Sequence, residues 1–425
     1  MYLYMIICII GSGGREHAIC KTISLSSKAS KIYCLPGNAG TQQLAENIDL
    51  DIDDFEKVLK FLKQSKVDLV IVGPEKPLVN GVVDFLENNG IKVFGPRKIP
   101  SQLEGSKTFT KNICKKYNIP TAKFGIFEKK ENTINFLKNS KFPIVIKADG
   151  LAAGKGVYIS ENLSEATEAV NEVFDGKFGI AKKILVEEFL NGEEMSFFVI
   201  CDGKNFKIFE TAQDHKRVNE GDMGKNTGGM GAYSPSGLIN KPLEKKIIDK
   251  IISPTLKAIE EMGEKYKGFL YAGLMIRDNE PFLIEYNVRM GDPECQTILP
   301  LLKTDLVEIF NACCEENLEN LNIEWKEEKS LCIVLCSKGY PEKFKNHIKL
   351  DGLDKLELNS FDYIFHAGTK EKGNQIYSNG GRVLNFVSLS DSLKNSRDRA
   401  IKLINQLNWD NGYFRRDIGF KVIDK

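Results

Sequence analysis

Between residues 5 and 95 four short apolar runs, MIICII, KIYCL, VDLVIVG and IKVFG, alternate with stretches whose apolar positions recur every three to four residues. Parallel strands are buried on both faces and need long crossovers, so this alternation predicts a doubly wound parallel sheet covered by helices. Each run ends in Gly or Pro. The turns that follow, GSGGREH, PGNAG and GPEKPLV, fall at the carboxyl ends of strands, where ligands of such sheets bind, and they are expected to converge on one site.

Beyond LEGSKTF the pattern changes. An extended stretch bounded by Pro120 leads to strands at 143–148 and 157–160, joined by the glycine-rich turn ADGLAAGKG, then a helix over 164–174 and the acidic run KILVEEFLNGEE. Further strands follow, with a long segment, TAQDHKRVNEGDMGKNTGGMGAYSP, read as a loop without structure of its own and therefore as functional. The remainder alternates strands such as SLCIVLCS and GRVLNFVSL with one helix near 391–406. The expected organisation is an α/β N-terminal domain at 1–104, a two-lobed centre at 105–327 with a small mobile lid at about 120–190, and a small α/β C-terminal domain at 328–425.

A chain of 425 residues can bury several cores. Its 59 Lys and Arg against 58 Asp and Glu give a net charge of +1 and no general drive toward nucleic acid or membrane, so any anion must be held locally. The apolar opening MYLYMIICII lacks a basic lead and a small-residue cleavage pattern, and reads as a buried first strand. Ten cysteines without CxxC spacing point to reduced, mostly buried thiols in the cytoplasm. His17, His215, His347 and His366 lie far apart, with no zinc motif.

The chemistry concentrates in four stretches. GSGGREHA follows a strand, but Glu16 stands where a dinucleotide fingerprint needs its third glycine, and the second strand ends in CLPGNAG without an acid for a ribose. A phosphate on backbone N–H groups at a helix start is the preferred reading, a plain glycine turn the bland one. ADGLAAGKGV is no P-loop, because Gly150 and Gly154 are too close and Gly156 replaces the magnesium-binding Ser or Thr. A glycine-rich turn with Gly154, Lys155 and Gly156 can still fold over phosphates, with Lys147 as a point charge; an ordinary hairpin is the alternative. The paired acids Glu187 and Glu188 sit between two lobes, where backbone can meet adenine and a carboxylate a ribose; a solvated acidic turn competes.

The fourth stretch is IEYNVRMGDPE. On a strand Glu285, Asn287 and Arg289 share one face, and Ile284, Tyr286 and Val288 the other. Glu285 and Asn287, roughly 7 Å apart, offer hard oxygen ligands to a magnesium that keeps waters and phosphate oxygens, and Arg289 can neutralise a transferring phosphoryl group. A structural salt bridge is the alternative.

Taken in order, GSGGREHA, PGNAGT, QLEGSK, PIVIKADGLAAGKGV, QDHKR, NTGGMGAYSP, RMGDPE, FHAGT and NGGRVL resemble the glycinamide ribonucleotide synthetases, or phosphoribosylamine–glycine ligases, of the ATP-grasp superfamily, over essentially the whole chain. The resemblance implies ligation of glycine to 5-phosphoribosylamine with ATP and Mg2+ or Mn2+, in a cytoplasmic enzyme of purine biosynthesis, expected to be a monomer with an oligomer left open. It implies Lys107 and Lys147, with the Gly154–Gly156 turn, on the ATP phosphates; Glu187, Glu188, Leu190 and Glu194 around adenine and ribose; and Glu285 and Asn287 on the metal. Arg289, Lys147, Asp214 and Lys216 would serve the reaction. Asn226, Thr227, Gly228, Gly229 and Met230, with Asp292 and Glu294, would surround glycine, and Gly13, Gly14, Asn38, Gly40 and Glu75 the sugar phosphate and amine. Met290 and Lys225 stand where Phe and Pro are usual, and the apolar YAGLMIRD leaves the ligands of any second metal open. Rival readings are another ATP-grasp ligase, a non-catalytic nucleotide-binding regulator, which should lack Lys147 or the Glu285–Asn287 pair, and a dehydrogenase.

Overall fold

The computed structural model describes residues 4–151, 156–177, 183–407 and 409–423. Strands Met5–Gly11, Ala29–Pro36, Glu46–Asn47, Leu69–Val72 and Val93–Phe94 pair in parallel, in the spatial order third, second, first, fourth, fifth. Helices cover both faces, so Ile7, Cys8, Ile9 and Ile10 are all fully buried; that is why the run reads as continuously apolar.

The first turn departs from the phosphate reading. The Glu16 carboxylate folds back over the start of helix Gly14–Ile23 and accepts the Gly13 N–H at 2.6 Å, while Asp292 accepts the Arg15 N–H at 3.3 Å. Two of the donors a phosphate would use are thus taken by carboxylates, which the positive end of the helix favours. Glycine is required around Glu16 for space: a Cβ on Gly11 or Gly73 would lie 2.5 or 2.2 Å from its side chain. The turns meet in pairs: Asn38 donates to Ser12 O at 2.8 Å and Gly37 N–H to Gly11 O, joining the first two, and Gly73 of the third lies against the Glu16 side chain of the first.

Strands Phe124–Phe127, Ile184–Glu188, Ile144–Ala148 and Val157–Ser160 form a separate antiparallel sheet in that order. Helices Lys130–Leu137 and Leu163–Phe174 pack on it, and Leu137, Ile146, Val170 and Val186 make a core detached from the two larger ones.

The largest sheet has nine strands. Hairpin Lys267–Arg277 and Glu280–Asn287 lies at one edge, followed by Glu193–Asp202, Phe206–Asp214, Gly231–Ser234, Lys329–Ser337, Arg382–Ser390 and Asp362–His366, with Gly412–Tyr413 added to Lys329–Ser337. Gly231–Ser234 pairs directly with Lys329–Ser337, so the sheet crosses the expected boundary near residue 328 without a break. The long segment expected to lack structure is instead ordered by pairing: its first residues end strand Phe206–Asp214, and Arg217–Asn219 pairs with Met223–Asn226 as a hairpin. Short polar strands carry too little apolar alternation to be seen in sequence.

All ten cysteines are free and nine are buried. No helix among the described residues is long and apolar enough to cross a membrane.

Candidate active site

A cavity of about 610 Å³ lies where the small sheet, the hairpin edge of the large sheet and the turns of the N-terminal sheet meet. Three groups of charge line it.

The first faces the small sheet. Lys147, near the end of strand Ile144–Ala148, is buried and bonded to Glu187 at 2.5 Å; Glu187 also pairs with Lys111, a residue the sequence did not single out. Despite burial, the two ammonium groups hold the Glu187 carboxyl below its usual range, and Glu187 with Glu285 holds Lys147 above its own. Lys107, in the first turn of helix Lys107–Tyr117, donates to Gly150 O at 2.9 Å, and burial lowers its pKa. Gly156, Glu188 and Leu190 line the same end, although the Glu188 carboxylate is turned to the Lys123 N–H at 3.0 Å. Gly154 and Lys155 lie outside the described residues.

The second group is the hairpin end. Strand alternation fails at Ile284: Gly273 faces Glu285 but Leu274 faces Leu283, so Ile284 is the extra residue of a bulge and lines the cavity instead of packing beside Tyr286 and Val288. Glu285 and Asn287 still line the cavity together. Arg289 does not project freely. Its guanidinium donates to Glu75 at 3.2 Å and to Glu104 at 2.6 Å, and Glu104 also accepts the Val288 N–H at 2.8 Å. Burial pushes the Glu104 carboxyl up to about 7 against the pull of Arg289, while Arg289 holds Glu75 down at about 2.

The third group comes from the hairpin after Asp214. Lys216 bonds Glu194 at 2.8 Å and lies 3.8 Å from Asp214. Burial, reinforced by Glu294 and Glu194, raises the Asp214 carboxyl to about 7 against Lys216. Glu294 is buried and accepts from Ser196 Oγ at 3.3 Å. Arg382, from the last domain, donates to Gly228 O and to Asp292 O, both at 2.6 Å, and Tyr340 accepts the Gly228 N–H at 3.0 Å, so one glycine peptide is held from both sides. Asn226 and Thr227 line the cavity beside Gly228. Gly229 and Met230 do not: Met230 is fully buried against Cys336, its sulfur 3.8 Å away, in the main core.

Gly13, Gly14, Asn38 and Gly40 also lie off this cavity, and Asn38 spends both ends of its amide on the turn, receiving the Gly40 N–H at 2.9 Å and donating to His366 O at 2.8 Å. Of that set only Glu75 lines it.

In order along the chain, residues 5–104 match the phosphoribosylglycinamide synthetase N domain, residues 105–295 its ATP-grasp (A) domain and residues 330–421 its C domain. The chain belongs to the phosphoribosylglycinamide synthetase family. Two relatives named phosphoribosylamine–glycine ligase, from Brucella melitensis and Caldanaerobacter subterraneus, are 43% and 45% identical over 422 and 416 residues, spanning 99% and 97% of this chain and 99% of each relative. The crystal structure of phosphoribosylamine–glycine ligase from Thermotoga maritima is 34% identical, with a TM-score of 0.85 over 97% of this chain and 100% of that one. A biotin carboxylase domain from Hydrogenobacter thermophilus, 16% identical with a TM-score of 0.71, shares the fold.

An ATP-grasp synthetase uses ATP and a divalent cation. The residues present fit the cation: Glu285 and Asn287 line the cavity between lysines, and neither side chain is committed to a hydrogen bond or ion pair with another described residue. No cluster of three or more His, Cys, Asp or Glu suited to a metal occurs among the described residues, which suits an ion that keeps substrate oxygens and water in its shell. Sequence reading gave no role to Glu104, Arg382 or Lys111. Glu104 and Arg382 sit inside the matched stretches QLEGSK and NGGRVL, but which cation a carboxylate will face is not written in its neighbours.

Proposed function

We propose that this synthetase joins glycine to 5-phosphoribosylamine, giving glycinamide ribonucleotide, ADP and phosphate in de novo purine biosynthesis, through glycyl phosphate. A glycine carboxylate oxygen bonds to the γ-phosphorus as the bond to ADP breaks; the amine then attacks the acyl carbon, and phosphate leaves carrying that oxygen while the amine gives up a proton. The observation that carries this reading is the uncommitted Glu285–Asn287 pair, flanked in one cavity by Lys147, Lys107 and Arg289.

Lys107 and Lys147 bear on the ATP phosphates, the Glu187–Leu190 connector and Glu194 on adenine and ribose, and Glu285 and Asn287 hold Mg2+ or Mn2+. A cation held there would supply neutralisation of phosphate charge. Arg289 and Lys216 suit the glycine carboxylate, and the acidic wall of Asp214 and Glu294 suits its ammonium group. Thr227, Gly228 and Asp292 close this half, with Asn226, Gly229 and Met230 as the frame of their loop. Glu75 lies toward the N-terminal turns, where Gly13, Gly14, Asn38 and Gly40 shape the approach for the sugar phosphate. The small domain closes over ATP to keep water from the acyl phosphate. The enzyme acts in the cytoplasm as a monomer.

The test is ADP release with glycine and phosphoribosylamine each omitted in turn, combined with glycine labelled with 18O in its carboxylate. Label in the released phosphate is expected; its absence under turnover sinks the acyl-phosphate route.

A further inference from the structure

The hairpin that carries Asp214 and Lys216 into the cavity is gripped by the end of the chain, whose Lys421 pairs with Asp222 at 3.0 Å at the cavity wall. From Asp214 the chain leaves the large sheet, reverses at Gly221 and Asp222, both in the left-handed region with φ of 68° and 54°, and returns to Asn226. Asp is among the residues that adopt that conformation most readily, and here its neighbours hold it in place. The neighbours here are residues 413–421. Arg415, fully buried, donates from Nη1 to Asp222 at 2.8 Å and to Arg217 O at 3.0 Å, and grips Asp417 with Nε and Nη2 at 2.8 and 2.7 Å. Asp417 in turn accepts the Gly221 N–H at 2.7 Å, and the Tyr413 hydroxyl donates to Val218 O at 2.9 Å.

His215 links this assembly to the cavity. Its side chain faces the C-terminal segment: Nε2 accepts the Gly419 N–H at 2.9 Å, so Nδ1 carries the proton and donates to Asp222 at 3.1 Å. His215 stands between Asp214 and Lys216, which both line the cavity, so a shift of the grip moves the two together. Lys107, Lys147 and Glu285 hang from other elements and are not touched by it.

We infer that residues 413–421 are a latch that sets the Asp214–Asn226 hairpin, with Arg415 as its positioning residue, and that the latch acts directly on the amino-acid half of the cavity and reaches the ATP half only through the Lys216–Glu194 pair. The inference rests on the reading that this half takes glycine. A guanidinium is needed because one planar fork spans two carboxylates and a carbonyl, which an ammonium cannot do.

The experiment compares Arg415→Met and Arg415→Lys with the full chain, well below their melting temperatures, by steady-state kinetics and by timed trypsin cleavage after Arg217 and Lys225. For Arg415→Met, kcat/KM for glycine falls by about tenfold or more, KM for ATP rises by a clearly smaller factor than KM for glycine, and cleavage in the hairpin accelerates. Arg415→Lys lies between, and carries the test alone if the Met variant does not fold. Faster cleavage with unchanged glycine kinetics overturns the positioning role, as does an equal rise in both KM values. A wild-type chain that does not turn over glycine sinks the proposed function instead; the latch is then read by cleavage, and equal rates in wild type and variants overturn it.

Discussion

Glu285 and Asn287 are hard-oxygen ligands left uncommitted at the lip of a strand whose other face is packed. Removing the carboxylate deletes charge stabilisation at the phosphoryl group without opening a core cavity, because Glu285 is only partly buried. Glu285→Ala is expected to lower kcat/KM by about 10² to 10³, some 3–4 kcal/mol, with little change in melting temperature; ADP release beside a melting curve checks this, and unchanged turnover would refute the metal assignment. Asp214 supplies a pH test. Its carboxyl titrates near 7 in the fold and near 3.8 when free of it, chiefly because burial disfavours the charge. The folded chain therefore holds the extra proton between those values, and the contribution to stability is present at low pH and lost as pH rises toward 7. Relative to wild type, Asp214→Asn should gain up to about 1.4 kcal/mol per pH unit across that window and then level off. Urea unfolding of both chains at pH 5, 6 and 7 reads the difference, and parallel curves would remove Asp214 from the account. Residue types and spacing made Glu285, Asn287 and Lys147 legible, and the family resemblance pointed to Asp214. Glu104 was not, because its importance comes from Arg289, which arrives from the bend just after strand Glu280–Asn287, 185 residues away.

At the scale of elements, the small sheet is held to the rest by a buried charge triad and little apolar packing. Lys111 from helix Lys107–Tyr117 and Lys147 from the sheet share Glu187, and all three side chains are within 5% of full burial. Glu187→Gln removes the carboxylate that pairs with both buried ammonium groups, leaving Lys147 only the longer-range field of Glu285, at a cost of about 3–5 kcal/mol. Because the sheet's core is its own, that loss should appear first as faster hydrogen exchange in residues 124–188 and only later as global unfolding; uniform loss across the chain would argue against a separable lid. Adding ATP with Mg2+ should slow protease cleavage in the same region, since a ligand at 100 times its Kd adds about 2.7 kcal/mol to the closed form. The helices and strands of this lid were readable from periodicity, as their apolar positions face one local core. The bulge at Ile284 and the hairpin at Arg217–Asn219 were not, since both are decided by register against a partner strand.

Across the whole molecule, the large sheet makes the central and C-terminal regions one body. Strand Lys329–Ser337 pairs on one side with Gly231–Ser234 and on the other with Arg382–Ser390, and Arg382 ties the two regions again at Gly228 and Asp292. Residues 193–423 are therefore expected to unfold in one cooperative step, and residues 328–423 made alone should not fold, exposing an unpaired strand edge; a separate calorimetric transition for the C-terminal region would contradict this. Local order along the chain, in the form of buried runs, glycine turns and the sequence of matched motifs, determined the fold class, the family and most of the charged residues that line the cavity, because these depend on neighbours within a few positions. Tertiary structure alone decided that Asp292 reaches the start of the first helix at the Arg15 N–H, that Met230 belongs to the core, that Arg289 is clamped by Glu75 and Glu104, and that the last residues of the chain grip the hairpin at Asp222. Each of these is a choice of partner across the fold, and partners distant in sequence meet only when burial and charge pairing are settled together.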